Sequence, residues 1–291
     1  MKKALAIDVG GTKIANCIIN SDGKIISDIE KISTPKVASE IFDALKKIVE
    51  KYENEVDFVA IATAGAVNHQ NDRVISATGN LAKGYKDIDF SLLSKKRVYL
   101  ENDANAAAYA EHIVGASKGY PNSIMITFGT GVGGGIILND KLYKGKSGSA
   151  GEMHFIMDRF KTRSCTCGSY DCFEAYASGN GLRRTAIEIF KDENITTYDI
   201  IRLADENDER AKKALEIWQN DITLGIIGLQ NLFDADCFVL SGSMEKFIDV
   251  EKVEKIVNET ISTSPTKIFH GTAGNNSGMI GAALLGFHSI T

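Results

Sequence analysis

Three groups of residues in this 291-residue chain have types and spacings that suit chemistry. The first is a pair of glycine- and threonine-rich turns: Asp8-Val9-Gly10-Gly11-Thr12-Lys13, and Thr127-Phe128-Gly129-Thr130-Gly131-Val132-Gly133. Amides unshielded by a Cβ atom approach an anion closely, and threonine hydroxyls add donors, so such turns suit phosphate. One turn of this kind alone is more often an ordinary hairpin; two copies of the same pattern favour binding. The second group is Glu101-Asn102-Asp103-Ala104-Asn105, which joins the apolar triplet Val98-Tyr99-Leu100 to an alanine-rich run ending at Val114. A carboxylate there lies at a strand's carboxyl end, where ligands of open α/β sheets gather, and at a helix's amino end, where negative charge is favoured. The alternative is that Asp103 is no more than an N-cap. The third group is Cys165, Cys167 and Cys172, a C-x-C-x4-C spacing that suits tetrahedral zinc, with His154 the nearest upstream imidazole. The alternative is three reduced, unliganded thiols.

The elements that must position these groups follow from hydrophobic period and turn residues. Ala4 to Ile7 and Ile14 to Ile19 read as strands around the first turn, with Ser21 to Lys24 leading into a third at Ile25-Ile26. Ile124 to Ile126 and Ile136 to Leu138 read as strands around the second turn, with Asn139 to Lys141 leading into Leu142-Tyr143. This repeated unit predicts two related halves that hold a nucleotide's phosphates between them. Ala38 to Tyr52 reads as an amphipathic helix through Ile41, Leu45 and Ile48-Val49, and Phe58 to Ala62 as a buried strand running into Thr63-Ala64-Gly65. Ile222, Ile226, Leu229 and Phe233 mark one stripe of a long helix. Cys237 to Leu240 is a strand entering Ser241-Gly242-Ser243, whose small residues would admit a flat ligand against backbone. The fold class expected is α/β with two domains, 1–117 and 118–277, and a closely packed helix at about 278–291 that lies on the first domain.

Composition narrows the function classes. A hydrophobic content of 44%, three prolines and 24% charged residues describe a folded chain with little linker. A net charge of −5 with no basic block argues against nucleic acid as a partner. No apolar run suits a membrane span, and five cysteines, an odd and clustered set, do not look like a secreted disulfide framework, so a cytoplasmic location is expected.

Taken together and in order, the two turns, Glu101 to Asn105, the cysteine loop with Glu174, and Ser178-Gly179 resemble the ROK family of bacterial sugar kinases and repressors. The resemblance implies an actin-like, or ribonuclease-H-like, ATPase fold with ATP in the cleft between the domains. It implies ATP-dependent phosphorylation of a hexose 6-hydroxyl, with N-acetylmannosamine the first expectation, in sialic acid catabolism, and glucose or another hexose the alternative. Asp103 would be the catalytic base. Thr63, Gly65, Asn80, Asn102, Asp103, Glu152, His154 and Glu174 would bind the sugar; Asp8, Gly10, Gly11, Thr12, Lys13, Thr130, Gly131, Gly133, Gly242 and Ser243 would bind ATP and Mg²⁺. Zinc would be structural, held by Cys165, Cys167, Cys172 and His154, and would order Glu152 and Glu174 about the sugar while leaving the nucleotide side alone. The family pattern is Glu-x-Gly-His, whereas this chain has Glu152-Met153-His154-Phe155. Without a gap Phe155 takes the histidine's place; with one residue deleted His154 does. The family's repressors carry a helix-turn-helix before the first turn, and Asp8 comes too early here to leave room for one, so an enzyme that acts as a homodimer on small molecules is expected.

Overall fold

The computed structural model describes residues 1–76 and 81–289. Asn80, an expected sugar ligand, lies outside the described residues. The chain folds into the strands β1 (Lys3–Val9), β2 (Lys13–Asn20), β3 (Glu30–Ser33), β4 (Phe58–Thr63), β5 (Ala66–Val67), β6 (Val74–Ser76), β7 (Val98–Asn102), β8 (Ser123–Phe128), β9 (Val132–Leu138), β10 (Lys141–Leu142), β11 (Cys237–Ser241) and β12 (Lys267–His270). Its helices are α1 (Ala38–Tyr52), α2 (Asp103–Val114), α3 (Phe173–Ala177), α4 (Gly179–Phe190), α5 (Thr197–Asp205), α6 (Glu209–Phe233), α7 (Val250–Thr260) and α8 (Ser277–Ser289).

Two five-stranded sheets share one plan. Their orders are β3-β2-β1-β4-β7 and β10-β9-β8-β11-β12, so in each the first strand is central, with two strands that pair antiparallel with each other on one side and two parallel strands on the other. The repeat seen in the glycine turns therefore extends through a whole sheet, and this is the actin-like ATPase fold. One expected strand differs. Ile25 makes only a bridge to Ile19, and the third strand is β3, paired along Lys13 to Asn16. Between them the Ser27 hydroxyl accepts the Ile18 amide at 2.8 Å, which interrupts the backbone ladder.

Alternation along the first sheet's central strands sorts large from small. Leu5, Ile7, Val9, Val59 and Ile61 face one way, into a core completed by Ile41, Leu45 and Val49 of α1. Ala4, Ala6, Ala60 and Ala62 face the other way, with Met279, Ala282, Ala283 and Phe287 of α8. A strand face of alanines lets a helix lie close, and α8 is close to α2 as well. A Cβ built on Gly281 would stand 1.6 Å from the Ala106 carbonyl oxygen.

The backbone divides into two compact units, Met1–Pro121 with Gly135–Gly151 and Thr272–Thr291, and Asn122–Gly134 with Glu152–Gly271. The first unit thus takes in Gly135–Gly151, which the sequence places in the second domain. The physical reason lies in α2: Ile137 packs with Tyr109 and Leu284, and Gly135 lacks a Cβ where one would stand 2.6 Å from that of Ala108. In the second unit Trp218 of α6 is fully buried and donates to the Ala177 carbonyl at 2.8 Å, while Gly225 makes room for the Phe173 ring. Among the described residues no helix is long and apolar enough to cross a membrane.

Candidate active site

In the first unit the candidate residues meet at one sheet edge because of strand register. Val9 pairs with Thr63, and Thr63 with Asn102, so the carboxyl ends of β1, β4 and β7 lie side by side. Beyond β1 the chain turns tightly, with the Gly10 amide donating to the Lys13 carbonyl at 3.0 Å. The Thr34 hydroxyl donates to the Gly10 carbonyl at 2.6 Å and its amide to the Thr12 carbonyl at 3.1 Å. Those bonds fix the turn and leave Thr12 and Lys13 exposed. Burial raises the Asp8 carboxyl above its ordinary range, and the nearby Lys13 charge pulls the other way.

Thr63 and Tyr85 share a hydroxyl hydrogen bond at 2.7 Å. Burial pushes the Tyr85 phenol up despite that bond, and the charges of Asp103 and Asp8 push it further the same way. Both carboxylates are thus felt at one hydroxyl.

Asn102, and not Asp103, is the N-cap of α2. Its side-chain oxygen accepts the amides of Ala104 and Asn105, each at 3.0 Å, and its Nδ2 donates to the Gly65 carbonyl at 3.0 Å. It therefore ties the loop after β4, where Gly65 has φ +93°, to the head of the helix. Asp103 is the first helical residue, half-buried, with its carboxylate accepting the Ala104 amide at 2.8 Å. A helix amino terminus is where a negative charge is held most cheaply.

In the second unit three small-residue turns converge on the end of β8. Gly129 donates to the Gly131 carbonyl at 3.0 Å, Gly179 to the Gly129 carbonyl at 2.8 Å, and Met244 to the Phe128 carbonyl at 2.9 Å. Gly242 has φ +95°, and a Cβ there would stand 2.4 Å from the Phe128 oxygen, so only glycine fits. Thr130 and Ser243 are exposed, and Gly131 and Gly133 partly so. Gly179 begins α4, whose Ser178 cap accepts the Gly181 amide at 3.0 Å. Gly179 thereby joins the candidate residues of this turn cluster, and the Ser178-Gly179-Asn180-Gly181 run, a cap followed by two glycines, carries the signal for it.

The cysteine loop is built around Asp171, which is buried with φ +55°. Burial would raise its carboxyl, but hydrogen bonds from Arg163 N (2.7 Å), the Thr162 hydroxyl (2.9 Å), the Tyr176 hydroxyl (2.9 Å) and Thr162 N (3.1 Å) outweigh that and hold it at about 2. The loop brings the three sulfurs of Cys165, Cys167 and Cys172 within 4.8 Å of one another, with Cys167 and Cys172 3.4 Å apart and no disulfide. Sulfurs bound to one tetrahedral zinc at about 2.3 Å lie roughly 3.8 Å apart, so the trio fits that ion. Burial and the two neighbouring thiols push Cys172 up to about 12, a crowding that a cation would relieve. His154 does not join the group. The segment after it pairs with the loop through Ile156 and Cys172, and that register stacks Phe155 on Phe173, with ring centroids 4.9 Å apart and planes at 16°.

Glu174 departs from the expected division of labour. Its Oε2 accepts the Val132 amide of the second turn at 3.1 Å, and its Oε1 accepts the Thr166 hydroxyl and lies 3.8 Å from the Cys165 sulfur. The cysteine loop is therefore wired to the glycine turn through one carboxylate. Glu152 is exposed at the start of the unit's second segment.

An acid at a strand's carboxyl edge and a glycine turn in each unit suit an ATP-dependent phosphotransferase. The ROK family model matches residues 4–288, and the chain belongs to the ROK family. It is 30% identical over 312 residues to the glucokinase of Streptomyces coelicolor, covering 97% of each chain. It is 32% identical over 291 residues to the N-acetylmannosamine kinase of Haemophilus influenzae, covering 97% of this chain and 94% of that one. Among solved structures, a ROK family glucokinase from Streptomyces griseus in complex with glucose and AMPPNP superposes with a TM-score of 0.79 at 29% identity, covering 97% of this chain and 98% of that one.

Proposed function

We propose that this ROK-family sugar kinase transfers the γ-phosphoryl group of ATP to the 6-hydroxyl of N-acetylmannosamine, with Asp103 as the base. The observation that carries the reading is Asp103 itself: a half-buried carboxylate at a helix head, on the sheet edge shared by Asp8 and Thr63. Phosphoryl transfer needs alignment, charge neutralisation and an acceptor for one proton. In this scheme the Asp103 carboxylate takes the proton of the sugar hydroxyl as its oxygen bonds to the γ-phosphorus, and the bond to the β-bridging oxygen breaks to release ADP. Asp8 is the candidate Mg²⁺ residue, with Thr12, Lys13 and the Gly129 to Gly133 turn at the phosphates and Gly242-Ser243 at the nucleoside. The magnesium ion, when bound, offsets phosphate charge. Thr63, Gly65, Asn102, Glu152, His154 and Glu174 are the described candidates for the sugar's hydroxyls.

The choice of sugar rests on relatives of nearly equal identity, one named for N-acetylmannosamine and one for glucose. Glucose is therefore the second reading. The deciding experiment is kcat/KM for both sugars with saturating ATP and Mg²⁺, followed as ADP release. N-acetylmannosamine should be favoured at least tenfold; equal values, or a preference for glucose, would overturn the substrate assignment.

Two further results are expected here. Gly131→Val places a Cβ 2.5 Å from the Glu174 Oε2 atom and covers the turn with a branched side chain. ATP affinity, read by calorimetry, should weaken at least tenfold in a variant that melts near the wild type; an unchanged Kd means the turn does not hold phosphate. We also place structural zinc on Cys165, Cys167 and Cys172. Elemental analysis should find about one zinc per chain in the wild type and close to none in Cys165→Ser. Because Glu174 spans loop and turn, that variant should lose nucleotide affinity as well as sugar affinity. Retention of zinc in Cys165→Ser would remove the site.

A further inference from the structure

The residue before Asn102-Asp103 is held by a buried ion pair that the reaction scheme does not use. The Glu101 side chain is fully buried and that of Lys144 is 10% exposed, with the Lys144 Nζ 2.9 Å from the Glu101 Oε2 atom. Lys144 also donates to the Asn68 carbonyl at 3.0 Å. The same Oε2 accepts Asn71 Nδ2 at 2.8 Å. The other oxygen, Oε1, accepts the Asn102 amide at 2.9 Å and Asn105 Nδ2 at 3.3 Å. One carboxylate thus grips the peptide entering Asn102 and the first turn of α2, on both sides of Asp103.

The lysine comes from far along the chain, 43 residues later, in the segment after β10. That segment is pressed onto the small β5–β6 hairpin: Gly148 has φ +100°, and a Cβ there would stand 2.1 Å from the Val67 carbonyl oxygen. Asn71, at φ +58°, closes the arrangement by accepting the Leu100 amide at 2.8 Å and donating to the Leu100 carbonyl at 2.7 Å. All of these residues belong to the first compact unit.

A buried pair is a poor source of net stability, because desolvating two charges offsets most of their attraction, and a neutral pair often serves as well. What a charged, multiply bonded pair does supply is position. We propose that Lys144 and Glu101 are positioning residues for phosphoryl transfer, fixing the Asn102-Asp103 turn so that the Asp103 carboxylate keeps its place at the acceptor hydroxyl. This inference rests on the reading of Asp103 as the base.

The test is the double variant Lys144→Met/Glu101→Gln in the full chain, which leaves no unpaired buried charge. It should melt within a few degrees of the wild type and keep KM for sugar and ATP within about threefold, while kcat falls at least tenfold. A stable double variant with kcat within twofold of the wild type overturns the proposal. If the double variant does not fold, Lys144→Arg decides: the charge stays but its forked head sits differently, so kcat should fall three- to tenfold at unchanged KM, and kcat within twofold is the overturning result. Asp103→Asn separates the two readings. If it is inactive while the double variant turns over normally, this inference alone fails; if Asp103→Asn turns over normally, the base and the positioning role fail together.

Discussion

Asp103→Asn should fold as the wild type does, bind the sugar within about threefold of its affinity, and lose roughly a thousandfold in kcat. The size follows from the change made: an amide matches the carboxylate in shape but cannot take a proton, and general bases contribute about 10²- to 10⁴-fold. The structure explains why folding should be spared. The Ala104 amide, which the Asp103 carboxylate accepts at 2.8 Å, is offered an equivalent oxygen by asparagine. The cap that starts α2 belongs to Asn102 and is untouched. Steady-state ADP release with calorimetric sugar binding measures both quantities, and kcat within tenfold of the wild type would sink the assignment of Asp103.

Much of the framework that brings these groups together was legible in the chain. Local patterns carried it: α1 spans Ala38–Tyr52 as its apolar spacing predicts, and the two glycine turns do lie between strands of two sheets with the same order. What was not legible depends on partners distant in sequence or on exposed backbone. Strand β3 has three exposed residues out of four and no apolar alternation, so its pairing with β2 carries no signal of its own. Glu174 is flanked by the cysteine loop and reads as part of it, whereas its bond to the Val132 amide spans 42 residues. Nothing local in the sequence links Glu101 to Lys144, because a buried pair is recognisable only once both ends are placed. The cap of α2 went to Asn102 for a reason that spacing cannot show: only the residue still in extended backbone, at φ −59° and ψ +141°, can turn its side chain onto the first free amides.

The second large effect concerns stability and the seam between α8 and α2. Gly281→Ala should lower the melting temperature by about 10 °C. The added Cβ would stand 1.6 Å from the Ala106 carbonyl oxygen and 2.4 Å from its carbon, both backbone atoms, so no side chain can swing aside. The two helices must separate, and α8 must then lift from the alanine face of Ala4, Ala6, Ala60 and Ala62. Overpacking typically costs about 1–3 kcal/mol and a clash with backbone lies at the upper end, at roughly 2–4 °C per kcal/mol in a chain of this size. Gly228 supplies the control, since it lies within α6, more than a turn from its end, with nothing within 4 Å of a Cβ. Gly228→Ala should leave melting unchanged or raise it, because alanine is favoured over glycine in a helix by up to about 1 kcal/mol. Calorimetric scans of the two variants beside the wild type give the answer, and a Gly281→Ala protein that melts within 2 °C of it would mean α8 does not lie against α2 as closely as described.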